Sequence, residues 1–182
     1  MKVMIRPALV LLAVTSVAAA LLGVVESVTR EPIRLAEIKT QNEAMQASLP
    51  SAASFEEISE AIEGTTISSV NIGKDDAGEV IGYVVATNPP GFGGAVPTTV
   101  GLDLDGVVMG VSVTTPSETP GLGVLAAEPK FTDQFAGLSG GDAKLIQDGG
   151  TVQSITSATI TARAVADGVD EALQWFANGG AN

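Results

Sequence analysis

An uncharged apolar stretch near the start of the chain constrains its fold more than any other feature. Pro7 to Val25, "PALVLLAVTSVAAALLGVV", runs for 19 residues without a charge, and its only hydroxyl side chains are Thr15 and Ser16. A helix rises about 1.5 Å per residue, so about 20 apolar residues cross a bilayer core of roughly 30 Å. The sequence therefore predicts a transmembrane helix over residues 7–25, preceded by a short cytoplasmic terminus at residues 1–6.

The charges beside this stretch bear on its orientation. Lys2 and Arg6 precede it with no acidic residue between them, which favours a cytoplasmic N-terminus. Basic residues also follow the stretch, but a long downstream domain is translocated largely regardless of charge. We therefore expect a single-pass protein of the inner (cell) membrane whose C-terminal domain is periplasmic or extracellular. The alternative is a cleaved signal peptide with a small-residue site at Ala18–Ala20, which also leads the remainder out of the cytoplasm.

Composition excludes several classes of function. The chain has no Cys and no His, so thiolate-bound iron–sulfur clusters, c-type haem and most zinc sites are excluded, as are thiol and Ser-His-Asp catalysts. Redox chemistry would need a bound organic cofactor. From Glu26 onward 21 acidic residues face seven basic ones, a balance of −14. Such a surface repels nucleic acid, so we expect no nucleic-acid partner.

The residues after the apolar stretch divide into a stalk and a globular part. Residues 26–49 contain no Gly and show a helical pattern, in which Pro32 would introduce a kink or start a fresh helix. The candidate apolar contacts are Ile33, Ala36, Ile38, Met45 and Leu49. Pro50 to Ser54 would end this helix. We therefore predict a helical stalk at residues 26–54 and an extracytoplasmic domain at residues 55–182.

Within residues 55–182 the pattern changes to short β-branched runs. These runs are "TISSVNI", "EVIGYVVAT", "PTTVGLDL" and "VVMGVSVTT". Asp105-Gly106 is typical of a tight turn, so Val100 to Thr115 should form an antiparallel hairpin. A short helix is expected at Glu128–Phe135 and a longer one at Thr161–Asn178, packed on the sheet through Leu173, Trp175 and Phe176. The fold class is α+β, an antiparallel sheet with flanking helices.

A hydroxyl-rich segment, "TVQSITSATITARAV", leads into the last predicted helix. A helix N-terminus exposes unpaired N–H groups and the positive end of the dipole, which together favour phosphate. Small residues at Ser157 and Ala158 would let the backbone approach a ligand. The side chains that could contact phosphate are Thr156, Ser157, Thr159, Thr161 and Arg163. The alternative is ordinary N-capping, for which Ser and Thr are favoured.

A second candidate loop lies between Thr114 and Gly137. Its central residues, Glu118-Thr119-Pro120-Gly121-Leu122-Gly123, leave a strand and turn sharply. A leucine between two glycines at a loop tip is a plausible platform for a flat ring. The alternative is a plain Pro-Gly turn whose leucine covers the core.

Taken together, "SETPGLG", "FTDQFAG" and "SITSATITARAV" resemble the covalent-FMN domain of the G subunit of the Rnf complex, an ion-translocating ferredoxin:NAD oxidoreductase. The resemblance includes the single N-terminal span, "ASLPSAASFEEI" and "GFGGAVPTTVGLDLDGVVMGVSV". The same domain occurs in the C subunit of the sodium-translocating NADH:quinone reductase. This second protein is an alternative, but the short chain and its short connections favour the G-subunit interpretation.

The resemblance implies a phosphoester bond between FMN and a threonine hydroxyl, made by a separate flavin transferase. The family pattern is an acid, two variable residues, Ser or Thr, usually Gly, then Ala and the acceptor Thr. Laid on this chain it makes Thr159 the acceptor, with Thr161 as the fallback. Gln153 stands where an acid is common, and Ser157 stands where Gly is usual. The ring would then lie against Leu122 and the Thr119 loop, which includes Gly121, while Glu118 orders that loop or tunes the redox potential.

The implied function is a membrane-anchored electron-transfer subunit without autonomous turnover. Its partners would be other membrane and redox subunits, and the small residues Ala18–Ala20 and Gly23 suit packing against a partner helix. An alternative from another class is a pilin-like structural or adhesive protein. That class expects an acidic residue inside the apolar segment, and this segment has none. A third alternative is a periplasmic binder with non-covalent FMN, which differs in whether the flavin survives denaturation.

Overall fold

One long α-helix, α1 (Lys2–Ser48), begins the computed structural model, which describes residues 2–115, 123–141 and 143–180. The helix continues through Pro7 and Pro32, so the alternative of a fresh helix at Pro32 is wrong. A proline removes one N–H donor, and the neighbouring turns keep their own hydrogen bonds. The chain forms two compact units, Met1–Asn42 and Glu43–Asn182.

The first unit is helical and its apolar side chains are uncovered. Those from Leu9 to Val28 are exposed, Leu22 by 70%. Of the residues that the structure describes, this one helix is long and apolar enough to cross a membrane, with a mean hydropathy of 2.6 in its most apolar window. An exposed apolar surface of this length requires lipid or protein to cover it.

The second unit contains a five-stranded antiparallel sheet in the order β1-β2-β3-β4-β5. Its strands are β1 (Ser54–Glu60), β2 (Ile67–Lys74), β3 (Val80–Thr87), β4 (Thr98–Asp103) and β5 (Val108–Val113). The predicted α+β class and the four predicted strands are confirmed. Strand β1 was not predicted, because its sequence "SFEEISE" is rich in acidic residues. It pairs with β2 alone at the sheet edge, where charged side chains reach water.

The hairpin predicted at Asp105-Gly106 is present between β4 and β5. One carboxylate oxygen of Asp103 accepts hydrogen bonds from the N–H groups of Asp105 and Val107, each at 2.9 Å. Gly106 adopts a φ of 77°, which is the left-handed conformation that the turn requires.

The helices of the second unit pack on one face of this sheet. Helix α2 (Pro129–Thr132) continues into a 3₁₀ turn at Asp133–Phe135, as the predicted helix at residues 128–135 requires. Helix α3 (Thr159–Ala177) begins two residues before the predicted start at Thr161. Leu173 is buried, and Trp175 and Phe176 pack edge-on against Tyr83 of β3, which confirms their predicted packing. Two further 3₁₀ turns, Gly123–Ala127 and Ile146–Asp148, were not predicted.

The last turns of α1 pack on the opposite face of the sheet. Met45, Leu49 and Ala52 form a buried cluster with Val84 of β3. Glycines allow this close approach: a Cβ added at Gly101 would lie 2.1 Å from the carbonyl oxygen of Ser48. The segment from Glu43 to the end of α1, which the sequence assigns to a stalk, therefore contributes to the core of the second unit.

Candidate functional site

The hydroxyl-rich segment crosses from a short bridge to the start of α3. The bridge pairs Leu145 with Val152, and the N–H of Ile146 donates to the carbonyl of Val152 at 2.9 Å. Residues 153–158 then follow without helix or strand. The segment ends at Thr159, which is the first residue of α3.

The start of α3 is not capped by a hydroxyl. Its N-cap residue is Ala158, with φ −133° and ψ 38°, and no side chain makes a capping hydrogen bond there. Ala158 donates its N–H to the carbonyl of Ile155 at 3.1 Å. The N-capping alternative for this group of hydroxyls is therefore wrong, and another reason for their presence is needed.

Ser157 has a left-handed backbone conformation. Its φ is 69°, and among the described residues it is the one non-glycine residue with a positive φ. A side chain in this region is strained, so glycine is the residue that fits best. The strain explains why the resemblance expects glycine at this position. A left-handed residue in a turn is also a component of the backbone concavities that bind anions.

The two candidate threonines differ in accessibility. Thr161 is buried, with 1% of its surface exposed, and it is already engaged with neighbouring groups. Thr159 is partly exposed, and within the described residues its hydroxyl makes no hydrogen bond. Thr156 and Ser157 are exposed, whereas Ala158 is buried.

Arg163, predicted to add positive charge to a phosphate site, is paired with Asp148. Its Nε and one terminal nitrogen donate to the two carboxylate oxygens at 2.8 Å and 3.0 Å. These hydrogen bonds lower the pKa of Asp148 and raise the pKa of Arg163. The pair lies at the surface and joins the fifth residue of α3 to the 3₁₀ turn at Ile146–Asp148.

A cleft of about 570 Å³ lies beside the hydroxyl-rich segment. It is lined by Leu125, Glu128, Lys130, Phe131, Gln134, Gln153, Ser154, Ile155 and Thr156. Its volume is within the range of small-molecule sites, roughly 300–1,000 Å³. The hydroxyl oxygen of Ser154 is buried and has no hydrogen-bond partner among the described residues. Because buried hydroxyls are normally paired, this oxygen fits a polar group of a bound ligand.

The described residues cover part of the predicted site. Glu118, Thr119, Gly121 and Leu122 lie in residues 116–122, outside the described residues, so the ring platform remains a prediction. The sequence predicted no role for the side chains of residues 125–134, "LAAEPKFTDQ", that line the cleft. The signal available was the "FTDQFAG" motif, which contains both Phe131 and Gln134.

Comparison with known proteins identifies the domain that contains this cleft. The FMN-binding domain family matches residues 91–174. The G subunit of the ion-translocating oxidoreductase complex of Methanosarcina acetivorans is 36% identical over 166 residues, covering 89% of this chain and 88% of that protein. The G subunit of the Na⁺-translocating ferredoxin:NAD⁺ oxidoreductase complex of Acetobacterium woodii is 35% identical over 196 residues, covering 97% and 93%.

A solved structure has the same fold. It is the crystal structure of the C subunit of the Na⁺-translocating NADH-quinone reductase from Parabacteroides distasonis, with a TM-score of 0.50 and 20% sequence identity. The match covers 69% of this chain and 76% of that chain.

Proposed function

The chain belongs to the family of G subunits of ion-translocating oxidoreductase complexes, and we propose on this basis that it is a membrane-anchored electron-transfer subunit with FMN bound covalently at Thr159. When bound, FMN supplies the redox chemistry, and the protein supplies position and electrostatics. The reaction of the complex would be that of a ferredoxin:NAD oxidoreductase coupled to ion translocation. We expect no autonomous turnover, because electrons would pass through the flavin between partner subunits.

The observation that carries the assignment to Thr159 is the contrast between two threonines. A flavin transferase must reach the acceptor hydroxyl, and Thr161 is buried at 1% exposure. Thr159 is partly exposed at the first residue of α3, and its hydroxyl makes no hydrogen bond within the described residues. This contrast supports Thr159 as the acceptor over the fallback.

The start of α3 suits the phosphate of the flavin. The first N–H groups of a helix have no partner within the helix, and its dipole favours an anion there. The left-handed turn at Ser157 and the exposed hydroxyls of Thr156 and Ser157 add donors beside Thr159. In a strongly acidic unit these groups provide local attraction for phosphate. Arg163 would contribute charge only by sharing or exchanging its contact with Asp148.

The attachment step requires an activated donor, because a free phosphate monoester has no good leaving group. We propose a flavin dinucleotide as the donor, with the separate transferase as catalyst. The Thr159 hydroxyl oxygen forms a bond to the flavin-side phosphorus, and the pyrophosphate P–O bond breaks. The other nucleoside monophosphate leaves, and a base of the transferase accepts the hydroxyl proton.

The cleft suits the isoalloxazine ring system. Leu125, Phe131 and Ile155 provide apolar walls, and the unpaired hydroxyl of Ser154 offers a hydrogen bond to a ring oxygen or nitrogen. The loop containing Glu118, Thr119, Gly121 and Leu122 would complete the ring site.

We also propose the arrangement in the membrane. Residues 7–25 would span the bilayer with residues 1–6 in the cytoplasm, residues 26–42 would link the span to the flavin domain, and residues 43–182 would lie on the periplasmic or extracellular side. Apolar side chains along α1 are exposed, so lipid and partner helices would cover them. The partners would be the other membrane and redox subunits of the complex.

The test is flavin fluorescence of the denatured protein after co-expression with a flavin transferase. The native chain should be fluorescent and gain the mass of one FMN less one water, and Thr159→Val should lose both signals. Thr159→Ser keeps a hydroxyl and serves as the matched control, while Thr161→Val tests the fallback. A dark native chain would overturn covalent attachment. Fluorescence lost only in Thr161→Val would move the acceptor by two residues.

The family membership does not favour the pilin-like alternative. The quinone-reductase protein shares the fold, but the extensive similarity is to G subunits. A binder with non-covalent FMN would lose its fluorescence on denaturation, so the same gel separates it from the proposal.

A further inference from the structure

The side chain of Gln134 joins the helical turn after α2 to the hydroxyl-rich segment. Its Oε1 accepts a hydrogen bond from the N–H of Gln153 at 2.8 Å. Its Nε2 donates to the carbonyl oxygen of Gln153 at 3.3 Å and to that of Phe131 at 3.4 Å. A carboxamide can both accept and donate in this way, whereas a carboxylate or a hydrocarbon cannot. Gln134 therefore holds the backbone of Gln153 through both of its polar groups.

Gln134 is attached to a rigid support. Its neighbours Phe131 and Phe135 are buried, with 3% and 0% of their surfaces exposed. Their rings pack edge-to-face with centroids 5.4 Å apart. Interiors packed in this way resist displacement. The hydrogen bonds from Gln134 therefore connect the backbone of Gln153 to the core of the second unit.

The segment beyond Gln153 depends on such an attachment. Residues 153–158 have no regular secondary structure, so helix or strand hydrogen bonds do not define their path. Ile155 packs partly against the core, and the segment then turns through Ser157 to Thr159. Freeing its first residue would broaden the range of positions available to both the cleft wall and the acceptor hydroxyl.

We propose that Gln134 is a positioning residue for flavin attachment at Thr159. It acts through the backbone of Gln153, which carries the Ser154–Thr156 wall of the cleft and the turn before α3. The inference rests on the proposed function, because it concerns the rate at which the transferase forms the Thr159 oxygen–phosphorus bond as the dinucleotide's pyrophosphate bond breaks.

The experiment measures the rate of attachment on the purified full-length chain in detergent. The apo chain, the transferase and a flavin dinucleotide are mixed, and intact mass reports the covalent FMN over time. Gln134→Ala removes both hydrogen bonds to Gln153, and Gln134→Glu keeps only the acceptor. Gln174→Ala is the matched control, because Gln174 donates to Asp170 at 2.8 Å within α3 and lines a different pocket.

We expect Gln134→Ala to lower the attachment rate about tenfold, equivalent to about 1.4 kcal/mol. Gln134→Glu should be intermediate. Gln174→Ala should stay within about twofold of the native chain, because the hydrogen bond that it loses lies within α3 and does not involve Gln153. Amide exchange at Gln153 should accelerate in Gln134→Ala, which removes the acceptor of the Gln153 N–H, and should stay near the native rate in Gln134→Glu and Gln174→Ala. A purely structural role would lower the melting temperature without slowing attachment to the folded chain.

The outcomes separate this inference from the proposed function. A native chain that gains no flavin overturns the function and the inference together. A native chain labelled at Thr159 with folded Gln134 variants that react at the native rate overturns the inference and leaves the function intact. Should Gln134→Ala fail to fold, the rate with Gln134→Glu decides.

Discussion

Replacing Gly101 by alanine should displace the end of α1 from the sheet. The added Cβ would lie 2.1 Å from the carbonyl oxygen of Ser48 and 2.5 Å from its carbonyl carbon, whereas ordinary contact begins at 3.4 Å. These are backbone atoms, so no side-chain rotation relieves the overlap. The segment around Ser48 must move by about 1.3 Å, the difference between 3.4 Å and 2.1 Å.

The cost of this movement follows from the side chains that it uncovers. Leu49 is 2% exposed and Met45 is 6% exposed, and both pack in the cluster that contains Val84. Full burial of a Leu or Met side chain contributes about 1.5–3 kcal/mol. Partial loss of both should lower the free energy of unfolding by about 2–4 kcal/mol. A domain of ordinary stability, about 5–15 kcal/mol, would remain folded.

The assay is urea unfolding of the full chain in detergent, followed by the fluorescence of Trp175, the single tryptophan. Gly110→Ala is a graded control, because its Cβ would lie 2.9 Å from the Ser48 oxygen and should cost less. Gly23→Ala meets nothing within 4 Å and should leave the midpoint unchanged.

A double-mutant cycle tests the mechanism itself. Leu49→Ala alone should cost about 2–5 kcal/mol, and less when Gly101→Ala has already displaced the segment. A loss below about 1 kcal/mol for Gly101→Ala, or full additivity with Leu49→Ala, would refute the reasoning.

Two further predictions concern the turn before α3 and the ion pair beside it. Ser157→Gly should raise the free energy of unfolding by about 0.5–1 kcal/mol in the same assay, because relief of the left-handed strain exceeds the cost of glycine's greater freedom in the unfolded chain. A destabilised variant would show that the backbone at Ser157 is not strained. Asp148 has a lowered folded pKa because of Arg163, so its contribution to stability is present above the unfolded pKa of about 3.9 and is lost as the pH falls through the folded value. The difference in urea midpoint between the native chain and Asp148→Asn should therefore shrink below about pH 4, and a difference that does not vary with pH would rule out this ion pair as its source.

The sequence alone was sufficient for the elements whose signals are local. Alternation of apolar residues predicted strands β2 to β5, and the Asp105-Gly106 pair predicted the hairpin between β4 and β5. Local sequence signals also predicted a helix over residues 128–135 and a longer C-terminal helix. The resemblance to the G subunits needed only the short motifs themselves. These signals are readable because periodicity and turn chemistry act between residues that are near in the chain.

Strand β1 and the exact start of α3 were not predicted, because neither has a clear local signal in the sequence. The acidic "SFEEISE" becomes a strand only because β2 presents an edge for it to pair with. Helix α3 begins at Thr159 with an alanine as its N-cap, so the usual capping signal is absent. At β1, a neighbour distant in the chain overrides a weak local preference.

The features that distinguish one hydroxyl from another were decided by tertiary structure. Which threonine is buried, Thr159 or Thr161, depends on how α3 packs on the sheet. Arg163 meets Asp148 across 15 positions of sequence, and Gln134 meets Gln153 across 19. The sequence was sufficient to predict a phosphate-binding turn and an apolar anchor, because both predictions depend on residues adjacent in the chain. Only the folded chain determined which hydroxyl is accessible and which side chain contacts the backbone of Gln153, because burial and long-range hydrogen bonds arise when separate segments meet.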